Sequence, residues 1–330
     1  IKRTTRNREF MISDHKISNY LFLIKLLILR PKLKRIDNLI IHAQRPDHLV
    51  PFFLLGKKIV LISTIHGPQR KAIFQNKGRI VGIIYSILED IGLLIANSLI
   101  FTDKRTCGDY VTKMRWIKKK SYVVPPGISS IFANRSLNEE GRKRFGFNCD
   151  FQFLTYIGRL EHEKNVDMII RSFSMISNEF RNVQLLIVGE GTERENLEKL
   201  SRNLNLRDRI IFLGLQPPDG IRDILSFSKA LILTSKWEGS PLVAREALAS
   251  GVPIISPNIG DISTLLRDEN CGMLLKDDNE ACLASAIKNI LTRNRMISID
   301  FYSEFDWMRI VKRIIEIYVN SIKKMSDEKI

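Results

Sequence analysis

Short apolar runs rich in β-branched residues alternate along the chain with segments of helical periodicity, and this alternation constrains the fold more than any other feature. Strands separated by helical crossovers pair in parallel, so the pattern predicts an α/β protein of parallel sheets covered by helices. In the first part, strands are expected at Asn38–Ile41, Lys58–Ser63, Ser98–Thr102 and Ser121–Val124, with helices near Gly78–Ala96 and Asp103–Trp116. The second part predicts strands near Phe151–Ile157, Val183–Val188, Arg209–Leu213, Ala230–Thr234, Val252–Ser256 and Gly272–Leu275. A chain of 330 residues holds roughly two domains of ordinary size, each with its own core. Pro125-Pro126-Gly127 stops a strand and opens a polar linker, which divides the chain into residues 1–130 and 131–306, with a last helix over 307–330.

Two strand exits carry candidate chemistry. The run Ala230–Ser235 leads through Trp237-Glu238-Gly239-Ser240-Pro241 into a helix starting near Leu242. Unpaired backbone N–H groups at such a helix start favour an anion, here a diphosphate. Glu238 and Glu246, on either side of that seat, can accept hydrogen bonds from sugar hydroxyls, which suits a nucleotide-sugar better than a bare nucleotide. The plainer alternative is an acidic helix start with an unrelated glutamate two turns on. At the other exit, Gly158-Arg159-Leu160 with Lys164-Asn165 precedes apolar positions Val166, Ile169, Ile170 and Phe173 at helical spacing. Glycine lets the backbone approach a ligand, Arg159 offers a planar fork and Lys164 a compact charge, a pairing suited to diphosphate; a solvated basic loop is the alternative.

Those motifs, together with Val188-Gly189-Glu190-Gly191, Phe212-Leu213-Gly214 and Ala247–Ile254, occur in the order and separations that resemble the GT-B glycosyltransferases of family GT4, from about Asn38 to the end of the chain. The resemblance implies two Rossmann-like domains facing a cleft, a nucleotide-diphosphate sugar held by the C-terminal one, and transfer with retention, without a metal ion or other cofactor. It places Arg159, Lys164 and the N–H groups near Gly239, Ser240, Pro241 and Leu242 on the diphosphate, and Glu246 on the ribose. Glu238 is placed by the transferred sugar, Gly214 and Leu215 beside the base, and Gly189 leaves room near the nucleotide. The last helix, from Trp307, resembles the family helix that packs back across both domains; a plain amphipathic helix is the alternative.

His66 closes the apolar run Ile59–Ile65, at a strand's carboxyl end where α/β ligand sites gather. It matches the family's first-domain histidine beside the transferred sugar, where an imidazole could hydrogen-bond the sugar or orient the acceptor; a loop-capping histidine is the alternative. His42 reads as a strand-end core residue, with Arg45 nearby. A front-side route, with the diphosphate taking the acceptor proton, is preferred to a covalent route through Glu238. Two departures stand out. No glycine precedes Gly56 where family members carry an early glycine-rich loop, so the N-terminal domain is expected to be truncated. Gly260-Asp261-Ile262 lacks the family's second glycine and following acid, which bears on sugar selectivity.

The net charge of +16 lies wholly in residues 1–130, which hold 24 Lys+Arg against 8 Asp+Glu, while residues 131–330 hold 28 of each. That asymmetry points to an anionic partner: a membrane surface, a lipid-linked phosphate or an acidic glycan. Lys16–Arg30 is apolar enough for a membrane interface and equally suits a buried crossover helix. Basic and aromatic residues do not interleave as base-stacking surfaces require, which disfavours nucleic acid. Cys107, Cys149, Cys271 and Cys282 lack metal-ligand or disulfide spacing. The expected protein therefore moves a sugar from a UDP- or GDP-sugar to a glycan or lipid-linked acceptor, in the cytoplasm or peripherally on its membrane face. A GT-B relative with other chemistry (an epimerase or an inactive partner subunit) and a non-enzymatic binder of anionic polymers are the alternatives.

Overall fold

The computed structural model describes residues 39–53, 59–133, 139–293, 297 and 299–327. Its first sheet contains β1 (Leu39–Ala43), β2 (Ile59–Ile65), β3 (Ser98–Phe101) and β4 (Ser121–Val123), in that spatial order and all parallel. β2 is buried at every position, as a strand covered on both faces must be. Helices α1 (Gln69–Lys77) and α2 (Arg79–Ile95) carry the chain from β2 to β3, and α3 (Lys104–Lys113) from β3 to β4. Asp103 starts α3 by accepting a hydrogen bond from the Thr106 N–H at 2.7 Å, the usual N-cap geometry.

The second sheet contains β5 (Gln152–Ile157), β6 (Val183–Val188), β7 (Ile210–Gly214), β8 (Ser228–Ile232), β9 (Ile254–Ser256) and β10 (Gly272–Leu274). All neighbours are parallel and the order is β10-β9-β8-β5-β6-β7. Its helices are α4 (Glu139–Arg144), α5 (Val166–Ile176), α6 (Arg194–Asn203), α7 (Pro218–Phe227), α8 (Leu242–Ala249), α9 (Ile262–Leu265) and α10 (Glu280–Thr292). The strand order reverses between β5 and β8, and doubly wound sheets place ligands at the carboxyl ends of the strands flanking such a reversal. Both strand exits singled out from sequence lie there.

The chain crosses between the sheets twice, and the crossings bind each other. The Ile128 N–H donates to the Phe305 carbonyl at 2.8 Å and the Trp307 N–H to the Ile128 carbonyl at 3.2 Å. After α11 (Phe301–Phe305), α12 (Trp307–Asp327) returns to the first sheet, where Ile310 and Ile317 are buried with Val60, Ile62, Ile100 and Val124. Burial of side chains this size stabilises by about 1.5–3 kcal/mol each.

Boundaries differ from expectation by two residues at several strand ends: β1 and β2 run on to Ala43 and Ile65, β9 starts at Ile254, and β8 spans Ser228–Ile232 rather than Ala230–Thr234. β8 leaves α7 without a turn because the Ser228 hydroxyl donates to the Ile224 carbonyl at 2.6 Å. Asn38, Lys58 and the apolar Lys16–Arg30 run lie outside the described residues. Among the described residues no helix is long and apolar enough to cross a membrane.

Candidate functional site at the switch point

The exits of β5, β6 and β7 converge through backbone bonds. The Gly158 N–H donates to the Val188 carbonyl at 3.0 Å, and the Gly189 N–H to the Gly214 carbonyl at 2.9 Å. Gly189 has φ +135°, and a Cβ there would lie 1.9 Å from the Gly158 carbonyl oxygen. The room this glycine leaves is therefore filled by the Gly158 backbone. Gly214 has φ +67° with the Glu190 carboxylate above it, and Leu215 just beyond is 76% exposed.

Lys164 ends a short 3-10 turn (His162–Lys164) before Asn165, which takes the left-handed conformation at φ 54°. The Thr234 hydroxyl bonds the carbonyls of Lys164 and Asn165 at 2.9 and 3.0 Å, and the Lys236 N–H donates to the Glu163 carbonyl at 2.9 Å. So stitched, the β5 and β8 exit loops bring Lys164 Nζ within 2.5 Å of Glu238 Oε1. The Ser235 hydroxyl donates to the same carboxylate oxygen at 2.9 Å. Arg159 goes elsewhere: its side chain is 69% exposed and pairs with Glu163 at 3.2 Å. Arg159 and Lys164 thus share a loop but no partner. Tyr156, missed in the sequence reading, donates from its hydroxyl to the Arg159 carbonyl at 2.8 Å and holds the turn. Burial, then the Glu238 charge, raises the pKa of that phenol.

The Gly239–Leu242 turn is fixed from two sides. A Cβ on Gly239 would lie 1.9 Å from the His66 carbonyl oxygen, and one on Gly260 2.0 Å from the Gly239 carbonyl oxygen. α8 starts at Leu242 with no side-chain cap, because its N-cap residue is Pro241; the preceding Ser240 donates its hydroxyl to Asp261 Oδ2 at 3.1 Å. Arg245, fully buried, pairs with the same Asp261 oxygen and lies 4.7 Å over the Phe305 ring. Asp261 is the residue that departs from the family pattern, and its sequence separation from Arg245 gave no hint of the pair. Glu246 is half-buried, has no side-chain partner among the described residues, and burial pushes its pKa up to about 7.

His66 closes the opposite wall. Its ring is open to the cleft, where Nε2 lies 2.7 Å from Gln44 Oε1, yet the walls around it desolvate the ring enough to lower its pKa. His42 bridges Tyr318 and Thr64 at 2.5 and 2.7 Å, and burial, helped by His66, lowers its pKa to about 4, so it is neutral at pH 7. The Asp103 carboxyl is raised by burial, with Asp261 across the seam adding to the shift. Arg105 Nη1 donates to the Asn258 carbonyl at 3.0 Å, a second bond between the two walls. His66, Lys164, Glu238 and Gly239 therefore meet along one seam, with Glu246 on the helix behind it, whereas Arg159, Gly214 and Leu215 lie outward along the strand ends.

A hollow of about 210 Å³ bordered by Glu161, Asn165, Arg171 and Glu193 opens between α5 and α6, separate from the seam. Among the described residues no three His, Cys, Asp or Glu side chains cluster as metal ligands.

Residues 138–298 match the family described as Glycosyl transferases group 1. A D-inositol 3-phosphate glycosyltransferase of Acidothermus cellulolyticus is 27% identical over 214 residues, covering 61% of this chain and 48% of that protein. The chain spans about half the length of the first curated relatives it matches. Among solved structures, a sucrose-phosphate synthase of Thermosynechococcus elongatus aligns with TM-score 0.78 at 21% identity, over 91% of this chain and 78% of that one. The Anabaena protein HepE, in complex with UDP, aligns with TM-score 0.74 at 16% identity, over 89% of this chain and 82% of that one.

Proposed function

We propose, from the match of residues 138–298 to the group 1 glycosyl transferases and from the GT-B architecture of the described residues, that the chain is a retaining transferase that moves a sugar from a nucleotide-diphosphate sugar to a glycan or lipid-linked acceptor. The observation that carries this reading is the meeting of His66-Gly67 with Glu238-Gly239, which puts an imidazole, a carboxylate–ammonium pair and a helix's amide end around one seam.

In this reading the diphosphate lies against the N–H groups of Gly239–Leu242 and takes Lys164, with Arg159 swinging in from the rim. Glu246, ionised, accepts from the ribose hydroxyls, and Leu215 packs on the base. Glu238 accepts from hydroxyls of the transferred sugar. The bond from the anomeric carbon to the diphosphate oxygen breaks as the acceptor oxygen bonds that carbon on the same face, and the acceptor proton passes to the departing phosphate. His66, neutral at working pH, donates to the sugar or the leaving group. Charge on the leaving group is met by Lys164, Arg159 and the amides, so no metal ion is required. UDP is the favoured carrier, since the Anabaena protein of the same fold holds it. The basic first half favours an anionic, lipid-linked acceptor and a peripheral place on the cytoplasmic membrane face.

The test is a thermal-shift and turnover panel of UDP-, GDP- and ADP-sugars on the full chain, since bound nucleotide raises the melting temperature by mass action. One nucleotide is expected to raise it. Arg159→Ala and Glu246→Ala should lose most of that shift, while His66→Ala keeps it and loses transfer. Unchanged shifts in the first two variants refute the pocket. Nucleotide binding without transfer to any acceptor would point to an inactive partner subunit.

A further inference from the structure

Away from the seam, one face of α2 is apolar and open. Ile80, Ile83, Ile84, Ile87 and Leu94 are 75, 47, 44, 56 and 63% exposed. Their spacing of three, four, seven and fourteen residues puts them on a single helical stripe. At 1.5 Å per residue, Ile80 to Leu94 extends about 21 Å. The opposite face is locked to the protein. A Cβ on Gly92 would lie 1.9 Å from the Pro46 carbonyl oxygen, and buried Glu89 is bound by Tyr85, Tyr110 and Arg70. The helix cannot roll to hide the stripe without exposing that network.

Both ends of the stripe are cationic. Lys71, Lys77 and Arg79 are exposed at the N-terminal end, where Phe74 packs over Gly82. At the C-terminal end Lys120 donates to the Leu94 and Ala96 carbonyls at 3.0 and 2.7 Å and lies 5.0 Å over the half-exposed Trp116 ring, with Lys118 and Lys119 exposed beside it. The neighbouring acid, Asp90, is taken up by Arg70.

We propose that α2 lies in the plane of an anionic lipid surface, its isoleucine stripe among the acyl chains and the two cationic clusters on the headgroups. Apolar stripes rimmed by Lys and Arg with an interfacial aromatic bind in this way. Charge separates this occupant from the other two available. A second copy packed stripe to stripe would set cationic ends against cationic ends. Residues 16–36 of the same chain hold six Lys and Arg and no acid, so they too repel the flanks. The proposal stands without the donor-site reading.

The test is co-sedimentation of the full chain with phosphatidylcholine vesicles, with and without phosphatidylglycerol, at low and high salt. Binding is expected only with the anionic lipid and is expected to weaken with salt. Ile84→Glu with Ile87→Glu should cut binding about a hundredfold, from loss of two buried apolar side chains of about tenfold each. Lys118→Gln with Lys119→Gln should cut it by about fivefold per charge. Neither variant should change the UDP thermal shift, which keeps failure here distinct from failure of the donor site. Equal sedimentation of wild type and the Ile84/Ile87 variant overturns the proposal, as does equal binding to neutral vesicles. A dimer that dissociates on the same substitutions, without vesicle binding, assigns the stripe to a second copy. A fall in melting temperature of that variant, without vesicle binding by wild type, assigns it to another segment of the chain.

Discussion

Lys164 and Glu238 join the carboxyl ends of the two strands where the second sheet reverses, with Nζ 2.5 Å from Oε1 and the Ser235 hydroxyl on the same oxygen. A diphosphate entering that corner competes with Glu238 for the ammonium. Lys164→Ala should therefore weaken UDP binding by about 10- to 100-fold, the worth of one charge-assisted hydrogen bond of about 1.5–3 kcal/mol. Glu238→Gln removes the competitor, so UDP binding should hold or improve while sugar transfer falls. Titration calorimetry with UDP and a transfer assay on each variant separate the two effects.

Glu246 makes a pH prediction of unusual sign. Burial raises its pKa from the ordinary 4.5 to about 7, so between those values the folded chain holds a proton that the unfolded chain has released. Stability from this group therefore falls as pH rises from about 4.5 to 7 and is flat above, opposite to a salt-bridged carboxylate. Glu246→Gln should abolish that slope, read as the difference between wild-type and variant melting temperatures across the window. If the ionised form receives the ribose, UDP affinity of the wild type should rise with pH towards 7, and that of Glu246→Gln should not.

How much of this was legible before the structure depended on how local the signal is. β2 and β5 announce themselves because strands buried on both faces read as nearly continuous apolar runs, broken here only by Ser63 and Thr64 in β2 and by Gln152 and Thr155 in β5. The glycines after β5 and before α8 mark loops by their own chemistry. Strand order is different. That β8, rather than β6 alone, lies beside β5 is set by pairing across more than seventy residues, which no local pattern records. The same applies to side-chain partners: Thr234, Ser235 and Tyr156 look like strand interior in sequence and act as stitches because they stand at the strands' last turns. Polar residues at the carboxyl end of an otherwise apolar run were the signal available. Arg159, expected on a diphosphate beside Lys164, pairs with the i,i+4 carboxylate of Glu163, a contact that helical spacing also allows.

Arg245 and Asp261 form a buried ion pair beneath the Gly239–Leu242 turn. Removing one member leaves the other charge in an apolar setting, which costs about 3–5 kcal/mol. Asp261→Asn is expected to lower the melting temperature markedly and, by freeing the Ser240 hydroxyl, to shift UDP affinity as well. Replacing both at once, Arg245→Met with Asp261→Leu, should recover most of the stability because no uncompensated charge remains. Chemical denaturation of Arg245→Met, Asp261→Leu and the double variant measures the coupling; additive losses would show that the pair is not a unit.

Gly67 tests whether the seam itself is needed for transfer. Its φ of +145° and the 3.0 Å between a built Cβ and Gly239 Cα mean that alanine strains the turn and pushes the two walls apart. The donor-side groups Lys164, Glu238 and Glu246 all belong to the second sheet's half, so Gly67→Ala should bind UDP with near wild-type affinity. His66, one residue away, would be displaced from the sugar, and misplacement of about 1 Å costs on the order of 100-fold in rate. Gly239→Ala, with its Cβ 1.9 Å from the His66 carbonyl oxygen, disturbs the phosphate turn as well and should lose both binding and transfer. A Gly67→Ala chain that transfers at the wild-type rate would mean that close approach of His66 to Glu238 is not part of the reaction.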